Sequence, residues 1–302
     1  MKYFEADFTV LPYSPDAIDL LADIAGEAGF ESFEVTPTGL KGYVQQQLFN
    51  PMSLDYGIAD FPIENVDITY DIHEAEDRDW NEQWEQEGFE PIIVNSEQGI
   101  VNSENQPCVV IHDGRHFPDP SLFTLHSSPF TIEIDARQAF GTGTHETTRM
   151  ICSTLLELKD QRLSGARVLD CGTGTGILSI CALKLGAAEA VGYDIDEWSV
   201  DNARHNAVIN QVDAHFQSLL GDSSILNKVD GTFDLILANI NRNILLSDLP
   251  AFREKMSDKA ILILSGFYTS DTTMLISKAE ALGLTIQKQR EDHDWACLVF
   301  SL

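Results

Sequence analysis

Three glycines at alternate positions, Gly172, Gly174 and Gly176, stand between two apolar runs in the stretch DCGTGTGILSI. Glycine lets the backbone turn tightly and approach a ligand, and the helix that follows offers free N–H groups to an anion. With Asp170 just before it, this turn predicts a nucleotide site. A dinucleotide fold requires G-x-G-x-x-G, and Ile177 occupies the last of those positions, so a pyrophosphate ligand is disfavoured.

Acids follow the next two strand-like segments of the chain. AVGYDID ends with Asp194 and Asp196, and LLGD ends with Asp222. A carboxylate at such a strand end accepts hydrogen bonds from the ribose hydroxyls of an adenosine, and we expect Asp194 to do so. Asp222 is a candidate for the adenine amino group. The alternative for each acid is a helix N-cap or a loop carboxylate.

A second glycine-rich segment, AFGTGTHETT at residues 139–148, runs into a predicted helix. The string H-E-T-T-R lacks the second histidine of H-E-x-x-H, so we predict no metal site. For His145 and Glu146 we expect a loop or capping role in place of metal binding.

Asn239 follows the apolar segment FDLILA, where a substrate would meet a group bound at the glycine turn. Its polar side chain could orient a substrate there. The alternative is that this asparagine only satisfies backbone groups at the end of its strand.

Strand and helix patterns alternate from about residue 145 onward. The predicted strands are RVLDCG, EAVGYDID, HFQSLLGD, FDLILANI, AILILSGF, LTIQKQRE and WACLVFS. Near-continuous apolar strands alternating with helices predict a doubly wound, mostly parallel seven-stranded α/β sheet. Only DHD separates the last two strands, too few residues for a crossover, so they form an antiparallel hairpin.

The first 75 residues have a different order of elements: strand, helix, two strands, a short helical piece and a strand. This order predicts a small α+β, ferredoxin-like sandwich. The stretch EAEDRDWNEQWEQEGF then places Trp80 and Trp84 on one helix face. We interpret it as a linker helix, the alternative being an ordinary surface helix. The predicted domains are residues 1–77, the linker 78–89, and a catalytic domain over 90–302.

Composition limits the class of protein and its partners. The 302 residues carry 48 acids and 19 bases, a formal charge of −29. Such a surface repels nucleic acid and attracts a basic partner, although solubility alone would also explain it. Five cysteines without a C-x-x-C pair argue against a disulfide framework and a zinc site. No apolar run is long enough for a membrane helix and no signal peptide is evident, so we expect a cytoplasmic protein.

G-x-G-x-G behind an acid resembles motif one of class I S-adenosylmethionine-dependent methyltransferases, which also place an antiparallel seventh strand beside the fifth. Together with AFGTGTHETT, the LGA and DID strings, LANI and the aromatic linker, it resembles the PrmA family. Members trimethylate a basic protein of the bacterial large ribosomal subunit, the one numbered eleven. Matching motif to motif places the cofactor contacts of that family on Thr148, Gly172, Asp194 and Asn239. The N-terminal residues match in layout only.

The resemblance implies a protein N-methyltransferase that takes S-adenosyl-L-methionine as its cofactor and acts on amino groups, with Asn239 as the catalytic residue. We also assign Gly174, Gly176, Phe140, Thr142, His145 and Asp222 to the cofactor site, and Gly141 is a further candidate beside Phe140 and Thr142. The expected partner is a basic ribosomal protein, without direct nucleic acid or membrane contact, and a monomer is favoured. Two alternatives stay open: a methyltransferase acting on another protein or a small amine, and a non-catalytic adenosine-binding module or oxidoreductase. NINRN lacks the N-P-P-Y of glutamine and adenine methyltransferases, which argues against those two chemistries.

Overall fold

The computed structural model describes residues 3–30, 32–46, 48–63, 66–75, 88–95, 108–117, 119, 129–136 and 141–302. The chain divides into two compact units, Met1–Trp80 and Asn81–Leu302. Residues 76–87 lie outside the described part, so the linker helix over 78–89, with Trp80 and Trp84, stays a prediction. The same is true of the domain boundaries proposed from the sequence.

The first unit has the ferredoxin-like order of elements that the sequence predicts. Its elements are β1 (Tyr3–Leu11), α1 (Pro15–Glu27), β2 (Ser32–Thr36), β3 (Gly39–Gln45), α2 (Pro51–Ala59) and β4 (Asp67–Glu74). The strands form an antiparallel sheet in the order β2-β3-β1-β4. Ala6, Phe8 and Val10 alternate on the buried face of β1, so the period-2 pattern of this strand builds one side of the core.

The second unit contains a small sheet, a large sheet and five helices of eight or more residues within its described part. The small sheet comprises β5 (Ile92–Asn95), β6 (Cys108–His112) and β7 (Phe130–Glu133). The large sheet comprises β8 (Arg167–Cys171), β9 (Glu189–Asp194), β10 (Phe216–Leu220), β11 (Phe233–Asn239), β12 (Met256–Tyr268), β13 (Thr285–Asp292) and β14 (Trp295–Ser301). The helices are α3 (Glu146–Leu158), α4 (Ile177–Lys184), α5 (Glu197–Ile209), α6 (Arg242–Lys255) and α7 (Thr272–Ala281).

The large sheet has the strand order β10-β9-β8-β11-β12-β14-β13. The neighbouring pairs from β10 to β12 are parallel, and β14 is antiparallel to both β12 and β13. This confirms the predicted doubly wound sheet and its terminal hairpin. Because parallel strands end at the same edge, the ends of β8, β9, β10 and β11 lie close together.

Apolar side chains cover both faces of the large sheet. Val168 packs on one face with the buried residues of α3 and α4, and its neighbour Leu169 packs on the other with those of α6 and α7. Leu237 and Ala238 of β11 divide between the faces in the same way. Both faces are therefore buried, which explains why these strands read as continuous apolar runs.

Two asparagines of α5 and Asn210, the residue that caps its C-terminus, satisfy the outer backbone groups of the edge strand β7 and its extension. Asn210 accepts from the Glu133 N–H at 3.1 Å and donates to the Glu133 carbonyl oxygen at 2.7 Å. Asn206 accepts from the Asp135 N–H at 3.0 Å, and Asn202 donates to the Asp135 carbonyl oxygen at 2.8 Å. Spaced four residues apart, they present one row of amides to the strand, which we call the asparagine ladder.

All five cysteines are free and buried, as expected of a side chain that packs like a small apolar group. In the described part of the chain, no helix combines the length and the apolar composition that crossing a membrane requires.

Candidate active site

The glycine turn after β8 needs its glycines for two distinct reasons. All three adopt positive φ angles, +73° at Gly172, +53° at Gly174 and +81° at Gly176. A Cβ atom on Gly172 would lie 2.4 Å from Ile240 Cγ2, so this bare backbone allows the turn to approach the end of β11. A Cβ atom on Gly176 would lie 3.1 Å from Ala203 Cβ, so this glycine permits α4 and α5 to pack closely.

Asp170 lies fully buried beneath the turn and holds it against α4. Its Oδ2 accepts from Thr173 Oγ1 at 2.8 Å, from Ser179 Oγ at 2.8 Å and from the Ser179 N–H at 3.2 Å. Its Oδ1 has no hydrogen-bond partner among the described residues. Burial raises the pKa of this carboxyl group to about 6, against which the three hydrogen bonds act.

Asp194 ends β9 and has a fixed orientation at the cavity. Its Oδ2 accepts from the Gly174 N–H at 2.9 Å, and its Oδ1 accepts from the Asp196 N–H at 3.1 Å. Asp196 instead caps α5, because its Oδ2 accepts from both the backbone N–H and the hydroxyl of Ser199. Of the two acids at this strand end, Asp194 is therefore the one available to a ligand.

These elements enclose a cavity of about 770 Å³ at the carboxyl edge of the large sheet. Seven candidate residues from the sequence line it: Gly141, Thr148, Gly172, Gly174, Asp194, Asp222 and Asn239. Asp222 also caps the short 3₁₀ helix after β10, since its Oδ1 accepts from the Ser224 N–H at 2.9 Å. The topology thus brings together groups that lie almost a hundred residues apart in the chain.

Four other candidate residues do not line this cavity or lie outside the described part. Gly176 serves helix packing, and the Thr142 hydroxyl pairs with that of Thr144 at 2.9 Å. His145 caps α3 through the Thr147 N–H, and its ring packs edge-on against Trp295 with ring centroids 4.7 Å apart. Phe140 lies among residues 137–140, which the structure does not describe. This is the capping role that the sequence favoured for His145 over a metal site.

Sequence reasoning did not identify the cavity residues that come from α6 or that follow Asp194. Ile195 lines the cavity and is 69% exposed. The apolar residue between two acids in the string DID is a sequence signal that could have identified it. Ile244, Ser247 and Asp248 reach the cavity from α6. Burial raises the pKa of Asp248 above its usual value. No local motif marks these three residues, because only packing of the helix brings them to the site.

The residues of the cavity fit a ligand with an adenosine end and a positive charge. The Thr148 hydroxyl oxygen is buried and has no partner among the described residues, so a ligand can satisfy it. Asp194, Asp222 and Asp248 supply acceptors for hydroxyl and amino groups. Their negative charge favours a cation over a pyrophosphate.

A second cavity of about 330 Å³ adjoins the first, and Asn241 and Asn243 line both. Tyr268 and Trp295 form its aromatic side, with ring centroids 4.4 Å apart at an interplanar angle of 30°. We call these two residues the aromatic shelf. Asp271 lies on the same cavity and pairs with Arg242 at 2.9 Å.

We expect Asp194→Ala to weaken binding of S-adenosylhomocysteine by about 1.5 to 3 kcal/mol, the range for hydrogen bonds to a charged acceptor. Isothermal calorimetry measures this, with Asp201→Ala as control because Asp201 is an exposed acid of α5 that pairs only with its neighbour Arg204 among the described residues. Unchanged affinity in Asp194→Ala would place the ribose contact on another residue.

A seven-stranded sheet in this order, with a glycine turn after its first strand and an acid at the end of its second, is the fold of class I S-adenosylmethionine-dependent methyltransferases. The family model described as "Ribosomal protein L11 methyltransferase (PrmA)" matches residues 38–302, and the chain belongs to this family.

Named relatives agree with this assignment along the whole chain. The ribosomal protein L11 methyltransferase of Bacteroides thetaiotaomicron is 41% identical over 303 residues, covering 100% of both chains. That of Phocaeicola vulgatus is 40% identical over 300 residues, 99% of each chain. The crystal structure of ribosomal protein L11 methylase from Lactobacillus delbrueckii subsp. bulgaricus aligns with a TM-score of 0.54 at 26% identity, covering 69% of this chain and 97% of that one.

Proposed function

We propose that this protein transfers methyl groups from S-adenosyl-L-methionine to amino groups of ribosomal protein L11. The observation that carries the proposal is the position of Asn239 at the end of β11. It lines the larger cavity, and two residues later Asn241 lines both cavities. A ligand in the first cavity and an amine entering through the second would meet beside Asn239. We infer the substrate, ribosomal protein L11, from the names of the relatives.

Named residues of the larger cavity would hold S-adenosyl-L-methionine. Asp194 would accept from the ribose hydroxyls, Ile195 and Ile240 would contact the adenine, and Asp222 would accept from its amino group. Thr148 and the backbone of the glycine turn would face the methionine end. When bound, this cofactor supplies a methyl group on a positively charged sulfur, which needs no covalent nucleophile from the protein.

The protein contributes to the reaction by orienting a neutral amine in line with that methyl group. A lysine with a pKa near 10.4 costs about 4 to 5 kcal/mol to deprotonate at pH 7, and partial desolvation lowers that cost. The Asn239 side chain forms no hydrogen bond with any described residue, so its carbonyl oxygen is available to accept from the amine and orient the lone pair. The proton passes to solvent.

The aromatic shelf and the acidic surface support a basic, chain-like substrate. The faces of Tyr268 and Trp295 provide apolar area for a lysine side chain and attraction for its charge. With 48 acids against 19 bases, the whole chain attracts a basic protein. None of the described residues that line the two cavities belongs to Met1–Trp80, so we assign substrate recognition to that unit. The activity would take place in the cytoplasm, where ribosomal proteins are made.

We expect Trp295→Ala to raise KM for the protein substrate about tenfold, because loss of one desolvated cation–π contact costs about 1 to 2 kcal/mol. Affinity for S-adenosylhomocysteine should change less than about twofold, because Trp295 does not line the larger cavity. Steady-state kinetics measures the first quantity and calorimetry the second. Trp198→Ala is the matched control, since Trp198 is 63% exposed and lines neither cavity. An unchanged KM would show that the shelf does not contact the substrate.

One experiment tests the function itself. The protein is incubated with S-adenosylmethionine carrying a labelled methyl group and with ribosomal proteins from cells that lack this modification. Label on L11 supports the proposal. Label on another protein or on a small amine would support the first alternative. Titration with NAD separates the second alternative, because tight NAD binding without response to S-adenosylmethionine would identify an oxidoreductase.

A further inference from the structure

Thr175 connects the two glycine-rich segments of the catalytic unit. It lies in the glycine turn and its side chain is fully buried. Its hydroxyl donates a hydrogen bond of 2.5 Å to the carbonyl oxygen of Gly141, which precedes it by 34 residues. Gly141 lines the larger cavity and Thr175 does not. The hydrogen bond therefore holds part of the cavity wall from outside the cavity.

Two glycines, Gly141 and Gly143, help the segment around Gly141 to pack closely against the turn. Gly141 has a φ of +104°, and a Cβ atom there would lie 3.2 Å from Thr175 Oγ1. Gly143 has a φ of +95°, and its Cβ atom would lie 3.1 Å from both Ile111 and Ile177 side-chain atoms. Because a Cβ atom at either glycine would lie closer to its neighbours than ordinary packing allows, the segment packs closely against the turn and the first residue of α4.

Thr175 is itself held by α5. Asn206, a fully buried member of the asparagine ladder, donates from Nδ2 to the Thr175 carbonyl oxygen at 2.9 Å. Its Oδ1 accepts from the Asp135 N–H at 3.0 Å. With its carbonyl bound to one element and its hydroxyl to another, Thr175 has little freedom to move away from Gly141.

We propose that Thr175 is a positioning residue for methyl transfer, whose hydroxyl holds the Gly141 segment in place as a wall of the S-adenosylmethionine cavity. The inference rests on the proposed function for the identity of the ligand, but the contact itself does not depend on it. Valine has the shape of threonine without the hydroxyl. In Thr175→Val the Gly141 carbonyl oxygen loses its partner and faces an apolar group, so the wall shifts and the bound ligand loses contacts. Asn239 lies at the end of β11, and we expect its position not to change.

The test compares Thr175→Val with Thr175→Ser, which keeps the hydroxyl, and with Thr154→Val as the matched control. Thr154 is also buried, and its hydroxyl also donates to a backbone carbonyl, that of Met150 at 2.8 Å. Thr154 does not line either cavity. Calorimetry with S-adenosylhomocysteine, kcat and KM for S-adenosylmethionine, and hydrogen exchange of the ligand-free protein at residues 141–145 are measured on all variants.

In Thr175→Val we expect affinity for S-adenosylhomocysteine to fall about tenfold, with KM for S-adenosylmethionine rising in parallel and kcat changing less than about threefold. Exchange at residues 141–145 should accelerate in this variant and not in Thr154→Val. Thr175→Ser should restore both properties. Should the valine variant not fold, Thr175→Ala carries the same comparison.

Wild-type affinity and wild-type exchange in Thr175→Val would overturn the inference. So would equal effects in Thr175→Val and Thr175→Ser, because the hydroxyl would then not be the cause. If the wild-type protein binds no S-adenosylhomocysteine, the proposed function fails instead, and the exchange measurement alone decides whether Thr175 holds the segment.

Discussion

Replacing Asn239 by alanine is expected to lower kcat about a hundredfold, the cost of misplacing a reacting group by about an ångström. Affinity for S-adenosylhomocysteine should stay within about threefold, because the adenosine contacts come from other strand ends. Asn239 lines the larger cavity, two residues before Asn241, which lines both cavities, and its side-chain amide forms no hydrogen bond with a described residue. Its loss should therefore impair the orientation of the amine and have little effect on cofactor binding.

Rapid mixing with a saturating protein substrate gives kcat for this variant, and calorimetry gives the affinity. Asn227→Ala is the control, since Asn227 is exposed and lines neither cavity. A kcat equal to that of the wild type would mean that Asn239 only terminates its strand. A large loss of cofactor affinity with normal turnover at saturation would assign it to binding alone.

Removing residues 1–77 is expected to lower kcat/KM for full-length L11 by about a hundredfold, because a tethered recognition unit raises the local concentration of the substrate by such factors. Binding of S-adenosylhomocysteine should not change. Each unit has its own core: the buried cluster of the first comprises residues within 6–54, and those of the second lie within 89–300. We therefore expect the shortened chain to fold.

A short lysine peptide from the substrate provides the matched control, because it does not reach a separate recognition unit. Both chains should methylate it at similar rates. High salt should slow the intact enzyme on full-length L11 if its acidic charge steers the basic substrate. If the shortened chain methylates full-length L11 as fast as the intact enzyme, specificity lies in the catalytic unit.

The parts of the fold that the sequence predicts are those with a local cause. The turn at Gly172 follows a buried strand and begins a helix, and the two residues between β13 and β14 would not permit a crossover. Asp194 follows the same logic, since an acid at the end of a parallel strand faces the ligand edge. These features can be predicted from the local sequence alone.

What the sequence does not predict depends on contacts between distant segments. Asp248 reaches the cavity only because α6 packs against the sheet, and His145 turns toward Trp295, which lies 150 residues later. Thr142 pairs with Thr144 outside the cavity, although both flank Gly143 in a motif that suggested ligand contacts. Spacing identifies a loop of this kind, but the direction of each side chain within it is set by tertiary packing.

The asparagine ladder on α5 bears on how this protein avoids self-association. An edge strand exposes a row of unpaired N–H and C=O groups, which can recruit a strand from another molecule and start aggregation. Along Glu133 and Asp135 those groups are already taken by side-chain amides from a helix. The small sheet is thus closed on that side by α5, and newly made chains that have formed this contact offer no template there to their neighbours.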